Sequence, residues 1–123
     1  NHCRDFKTRT YRAIKKRIIS NIKNYLDIPF QNIIRLYQEC DIVSFPSLYE
    51  GFGMPIIEAN ATGRVLLTSK ITSIPEIAAN TAHYINPYDV SSIRKGFQKL
   101  ISDDKYREKL ILRGIANAKE VYN

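Results

Sequence analysis

"DIVSFPSLYEGFGMPIIEANATGRVLLTS", residues 41–69, decides how this chain folds. It opens on a short apolar run, Asp41 to Pro46, with β-branched and aromatic residues ended by proline, which predicts a buried strand. Gly53, Met54 and Pro55 then open a helix that Gly63 closes, with proline in the first turn and glycine just past the end. "VLLTS", residues 65–69, predicts a second buried strand. Strand, loop, helix and strand in that order make one turn of a parallel α/β sheet. Two glutamates, Glu50 and Glu58, straddle the glycine loop with seven residues between them.

The pattern continues on both sides. Thr8 to Ile19 reads as a basic helix with Tyr11, Ile14 and Ile18 at helical spacing, and a short strand is expected around Asn21 to Leu26. Pro29 suits the first turn of a helix whose apolar face is Phe30, Ile33, Ile34 and Tyr37. Downstream, residues 73–80 predict a short helix and residues 83–85 a last short strand. Two helices finish the chain. Val90, Ile93, Phe97, Leu100 and Ile101 stripe the first; Leu110, Ile111, Ile115, Ala118 and Tyr122 stripe the second. The fold class expected is α/β, a Rossmann-like parallel sheet flanked by helices, in one domain over residues 1–123.

Composition narrows the function classes. Of the 123 residues, 44% are hydrophobic and 25% charged, ordinary for a globular protein. No apolar run approaches the ~18 residues of a membrane span. The chain begins at Asn1 without a signal-peptide pattern, which suggests a piece of something longer. Cys3 and Cys40 are too few and too far apart for a disulfide framework or a zinc site, and two free thiols suit a cytoplasmic location. The net charge of +7 is concentrated at one end: residues 1–24 hold eight basic side chains against Asp5, and the other 99 residues balance eleven against eleven. Such a run is most simply a solvated helix face. Its functional alternatives are contact with phosphates, with an anionic membrane surface or with an acidic partner domain.

Ligands of an open parallel sheet collect at the carboxyl ends of its strands, where the Glu50–Glu58 loop lies. Gly51 and Gly53 let a ligand approach the main chain closely. The helix that follows presents its amino end, which suits a phosphate. Carboxylates on either side would repel phosphate, so they should face neutral hydroxyl groups. A ligand with hydroxyls at both ends and phosphates in the middle meets that requirement; a nucleotide-sugar is one. Taken singly, each piece has a simpler explanation: a tight turn for the glycines, a dipole-stabilising charge for Glu58.

The whole pattern is more specific. "LYQECDIVSFPSLYEGFGMPIIEANATGRVLLTSKITSIPEIAAN", residues 36–80, strongly resembles the carboxyl-terminal domain of family-4, retaining, GT-B-fold glycosyltransferases (group 1 glycosyl transferases). The resemblance runs from about Asn21 to the end. It includes Tyr37 and Asp41 as a Tyr-x-x-x-Asp approach, Pro46-Ser47, the E-x7-E motif of Glu50 and Glu58, and Glu76. It implies one half of a GT-B fold binding a nucleotide-sugar donor for transfer to a glycan or lipid-linked acceptor in bacterial envelope synthesis, lipopolysaccharide or capsule. By the resemblance, Glu50 is the catalytic-site glutamate that meets the donor sugar's hydroxyls. Gly51, Phe52, Gly53 and Met54 offer backbone groups to the sugar and diphosphate, and Glu58 holds the ribose hydroxyls. Enzymes of this fold typically use no metal or other cofactor, and none is expected here.

The resemblance also defines what is expected to be missing: two upstream strands, the Arg and Lys that grip the diphosphate, and the amino-terminal acceptor domain. A fragment truncated in this way is expected to be inactive alone and, through its exposed edges, to exchange strands, dimerise or pack residues 1–26 differently. The location expected is cytoplasmic, with peripheral contact at the inner membrane face. Asn60-Ala61-Thr62 matches a glycosylation sequon but falls inside a helix, so it is set aside. His83 is read as a packed strand residue, His2 as a terminal one, and Cys40 as a small core side chain. Tyr49 and Phe52 are read as packing residues. Two alternatives stand beside the leading one. One is another nucleotide-sugar enzyme of the same fold, such as a glucan or trehalose phosphate synthase. The other is a non-catalytic module binding nucleic acid through residues 1–24, ranked low because it has no aromatic interleaving.

Overall fold

A computed structural model describes residues 23–48, 53–70 and 74–122; the helix expected over Thr8–Ile19 lies outside them. Residues 23–29 carry no regular secondary structure, so the strand expected around 21–26 is absent over its described part. Tyr25 and Leu26 are largely exposed and Asp27 turns the backbone to φ 53°. A run with neither a ladder partner nor a covered face has nothing to hold it extended.

From Phe30 onward, helices and strands alternate as the sequence predicts. The order is α1 (Phe30–Glu39), β1 (Ile42–Phe45), α2 (Met54–Ala61), β2 (Val65–Ser69), α3 (Ile74–Ala78), β3 (Ala82–Ile85), α4 (Val90–Ser102) and α5 (Asp104–Tyr122). The three strands form a parallel sheet in the order β1-β2-β3. Ile42 pairs with Val65 and Leu66 with Ala82 at the start of the two ladders. Parallel neighbours need a crossover connection, and α2 and α3 supply the two.

Side chains alternate across the sheet and separate the core into two layers. On one face Leu66 and Ala82 meet Ile56 and Ala59 of α2 and Ala78 of α3, with Tyr37, Val43, Phe45, Ile77 and Tyr84 packed around them. On the other, Val65, Leu67 and Ile85 meet Leu100 of α4 and Leu110 of α5, bordered by Ile42, Ile93, Phe97, Tyr106 and Ile111. Every residue of β2 is buried, as expected for the middle strand. β1 was expected to be buried but is only half-covered, with Ser44 exposed, because it forms one side of the described sheet.

The helical stripes are covered only in part. In α4, Leu100 is buried, whereas Val90 is 74% exposed at the first residue of the helix and Ile101 is 64% exposed one position beyond Leu100. Gly96, absent from the predicted stripe, lies on the packed face. A Cβ there would stand 2.7 Å from Ile85 Cγ2 and 2.9 Å from Leu67 Cδ1, so the missing side chain lets the helix approach the sheet. In α1 only Ile33 and Tyr37 are half-buried, and Phe30 is 65% exposed. The face expected for α1 therefore reaches the core only through its Tyr37 end.

The two closing helices are capped by aspartates. Asp89 accepts from the Ser91 amide at 2.9 Å, and Asp103 accepts from the Tyr106 amide at 3.0 Å while receiving Lys99 Nζ at 2.7 Å. α5 ties the two layers together. It places Leu110 in the second cluster, sets Gly114 against Asn60 of α2, and donates from Asn117 Nδ2 to the Ile77 carbonyl at 3.2 Å. Asn60 itself is 1% exposed within α2, in keeping with setting the sequon aside. Cys40 is half-buried rather than a core residue, and its thiol donates to the Tyr37 carbonyl at 3.4 Å.

His83 of β3 is packed as expected, its Nδ1 2.8 Å from the Tyr106 hydroxyl. Burial and the nearby Lys99 charge both push its pKa below the ordinary 6.5. The unfolded chain therefore binds this proton at a pH where the folded one does not, so stability rises with pH through that window. Lowering pH from 7 through about 6.5 and below should destabilise the wild type more than His83→Gln. Urea denaturation of both proteins at pH 7 and pH 5 measures the difference; parallel losses would contradict it.

Candidate functional site

The candidate site is the carboxyl edge of the β1-α2-β2 unit. β1 ends at Phe45, and the chain turns with the Ser47 amide donating to the Phe45 carbonyl at 2.9 Å. That same carbonyl accepts Thr68 Oγ1 from the end of β2 at 2.8 Å, which locks the two strand ends together. Residues 49–52 lie outside the described residues, and with them Glu50, Gly51, Phe52 and Tyr49. The loop is described again from Gly53, where α2 begins.

Gly53 is buried and sits at φ 63°, in the left-handed region. The Ile56 amide returns to its carbonyl at 2.9 Å to close the first turn. A glycine is required on two counts: the backbone conformation, and a Cβ that would meet Cδ1 of both Ile56 and Ile77 at 2.9 Å. Among the described residues no side chain caps the amino end of α2, and Pro55 occupies its first turn. The helix dipole is directed at the strand ends. Met54 is half-exposed beside it. Gly63, at φ 71°, ends the element as predicted.

Glu58 lies about one turn into α2, on the flank next to the buried stripe of Ile56, Ala59 and Asn60. Its side chain is half-exposed. Burial, and next the interaction with Glu58, hold the proton of the Tyr37 phenol well above the ordinary range.

The neighbouring strand ends add polar groups that the sequence reading passed over. Ser69 Oγ, at the last residue of β2, is buried with no hydrogen-bond partner among the described residues. Beyond it, Lys70, Tyr84, Asn86 and Tyr88 line a cavity of about 450 Å³. The motif has no periodic signal for these groups, because they meet only when β2 and β3 pair. Of the six site residues singled out from sequence, Gly53, Met54 and Glu58 come together at and just inside the start of α2, and Glu50, Gly51 and Phe52 lie outside the described residues, as does the side chain of Glu76 on α3.

The fold is an α/β domain with an open parallel sheet, at whose carboxyl edge α2 starts from a glycine. The chain belongs to the glycosyl transferases group 1 family, whose model matches residues 4–117. Its carboxyl-terminal GT-B character is borne out by structural likeness. The carboxyl-terminal domain of a glycosyl transferase group 1 family protein (LpcC) from Francisella tularensis superposes with a TM-score of 0.80 at 27% identity, covering 97% of this chain and 63% of that one. Sucrose-phosphate synthase from Thermosynechococcus elongatus reaches 0.83 at 19% identity, over 95% of this chain and 30% of that one, a likeness of fold alone. Among curated proteins, the O-antigen chain mannosyltransferase B of Escherichia coli is 36% identical over 93 residues, which is 76% of this chain and 24% of that protein. The serotype-specific mannosyltransferase WbdA of Escherichia coli is 44% identical over 78 residues, 63% of this chain and 10% of that protein. The chain thus spans a quarter or less of these two relatives.

Gly53→Ala should lose stability on both counts given above. Left-handed strain costs about 1–2 kcal/mol and overpacking about 1–3 kcal/mol, so a loss of roughly 2–5 kcal/mol is expected. Chemical denaturation measures it, and an unchanged midpoint would show that the α2 start does not depend on glycine.

Proposed function

We propose that this chain forms the donor side of a retaining glycosyltransferase that transfers mannose from a nucleotide-sugar during bacterial O-antigen synthesis. One observation carries the reading: the left-handed Gly53 turns the chain into α2, and Glu58 stands about one turn inside that helix. That both relatives are named mannosyltransferases supports the sugar, and the O-antigen name of the first supports the pathway class.

In this reading the diphosphate meets the amino end of α2, where backbone amides and the helix dipole favour negative charge. Gly51, Phe52, Gly53 and Met54 supply backbone contacts along the donor. Glu58 accepts from the two ribose hydroxyls, and Glu50 from hydroxyls of the transferred sugar. As the bond to diphosphate breaks, the sugar ring gains positive charge and Glu50 gains interaction with it. No metal is required for this charge balance, so transfer should persist in EDTA. The acceptor is a glycan or lipid-linked glycan, bound outside this chain, and the enzyme works at the cytoplasmic membrane face.

The intact protein carrying this chain, assayed against a panel of nucleotide-sugars that includes GDP-mannose and UDP-glucose, should transfer from a mannosyl donor. Transfer from the other donors alone would overturn the choice of sugar. Glu58→Ala should raise the donor KM and leave kcat nearly intact, because its contact is equal in ground and transition states. Glu50→Ala should instead lower kcat by about one to two orders of magnitude, the worth of one hydrogen bond to a charged group. Identical KM rises with kcat untouched in both would remove the division of roles.

A further inference from the structure

The carboxyl edge of the sheet extends past the glycine loop. β2 and β3 pair as far as Ser69 and Ile85, and one residue beyond that last rung stand Lys70 and Asn86. With Tyr84, Pro87 and Tyr88 they line the cavity of about 450 Å³, which has no task in the reading above. Small-molecule sites occupy ~300–1,000 Å³ and pair an apolar wall with a few polar groups, as this cavity does. We propose that it is a second carbohydrate subsite, holding a sugar unit of the acceptor glycan whose reacting end is bound outside this chain. That the occupant belongs to the acceptor rests on the glycosyltransferase reading; that it is a sugar rests on the chemistry of the cavity.

Tyr88 presents a ring that is 76% exposed at this cavity. The apolar C–H face of a pyranose covers such a ring, while its hydroxyl oxygens accept hydrogen bonds around the rim. Lys70 and Asn86 supply the donors. Lys70 has no ion-pair partner among the described residues. Asn86 has spent its other polar groups: its amide donates to Ser92 Oγ at 2.9 Å, its carbonyl accepts the Asp89 amide at 3.1 Å, and Oδ1 accepts the Tyr88 amide at 3.0 Å. Only Nδ2 is left, with two protons to give. The Tyr84 hydroxyl donates to the Ala79 carbonyl at 2.6 Å, so Tyr84 contributes its ring.

Among the described residues no carboxylate lines the cavity and Lys70 is its one cation. A diphosphate is best held by several charges or a bidentate arginine, whereas a neutral ring of hydroxyls needs only scattered donors. The bonds around Asn86 fix residues 86–89 before any ligand arrives, so little ordering is charged to binding. Adjacent strands are about 4.8 Å apart, which sets the end of β3 roughly 10 Å along the edge from the end of β1. One oligosaccharide chain can span that distance from the reacting end of the donor.

Calorimetric titration of the intact protein with α-linked mannotetraose, and in parallel with GDP, tests the subsite. Mannotetraose should bind the wild type, and Tyr88→Ala should weaken it by roughly three- to tenfold, the worth of one ring contact. Tyr88→Phe keeps the ring and should bind as the wild type does. Lys70→Ala should cost roughly two- to tenfold, one hydrogen bond. Both side chains are exposed, so neither truncation opens the core, and GDP affinity should stay within about twofold. A wild type that ignores mannotetraose, or a Tyr88→Ala variant that binds it unchanged, overturns the proposal. So does a Tyr88→Ala loss matched by an equal loss for GDP, the pattern of a damaged fold. GDP binding without mannotetraose binding removes the subsite and leaves the donor reading intact. Mannotetraose binding that depends on Tyr88, in a protein that does not bind GDP, removes the donor reading and leaves a carbohydrate site.

Discussion

A strand dry on both faces is the constraint from which the rest of this fold follows. All five residues of β2 are buried. Three of them, Val65, Leu66 and Leu67, are apolar and alternate between the two layers. Each fully buried aliphatic side chain contributes about 1.5–3 kcal/mol relative to exposure, so neither face can be left wet. Helices must cover both, and the parallel pairing of β1, β2 and β3 obliges the connections to be the covering helices. Thr68 is the polar exception on this strand end that finds a partner, giving its hydroxyl to the Phe45 carbonyl.

That arrangement positions the candidate site without spending residues on it. β1 and β2 deliver their carboxyl ends to one edge, and α2 must start there to return along the sheet. Its start is tight because Ile56 and Ile77 close in on Gly53 from the core. The glycine is thus a consequence of core packing. Glu58 is then carried on the flank of the same helix, half-exposed.

α5 shows what close approach costs. Gly114 lets it approach α2, where a Cβ would lie 2.7 Å from Asn60 Oδ1. The Asn60 amide is buried there, with neither its oxygen nor its nitrogen paired among the described residues. Leaving buried polar groups unmade costs about 1–3 kcal/mol each.

Local pattern was enough for the βαβ alternation, the proline–glycine bounds of α2, the buried run at 65–69 and the E-x7-E spacing, because each depends on residues close in sequence. It misjudged how far stripes are covered. Phe30, Val90 and Ile101 share helical spacing with residues that do pack, yet they stay exposed, since periodicity names a face and not its partner. The strand expected around 21–26 had suitable residues, but no ladder partner supports the described part. Tertiary structure alone decided that Gly96 is a contact point, that Ser69 is buried at a strand end, and that Tyr37 packs against the layer of Ile56 and Leu66. These depend on which surfaces meet when helices fold back over a sheet, and spacing along the chain carries no record of that distance.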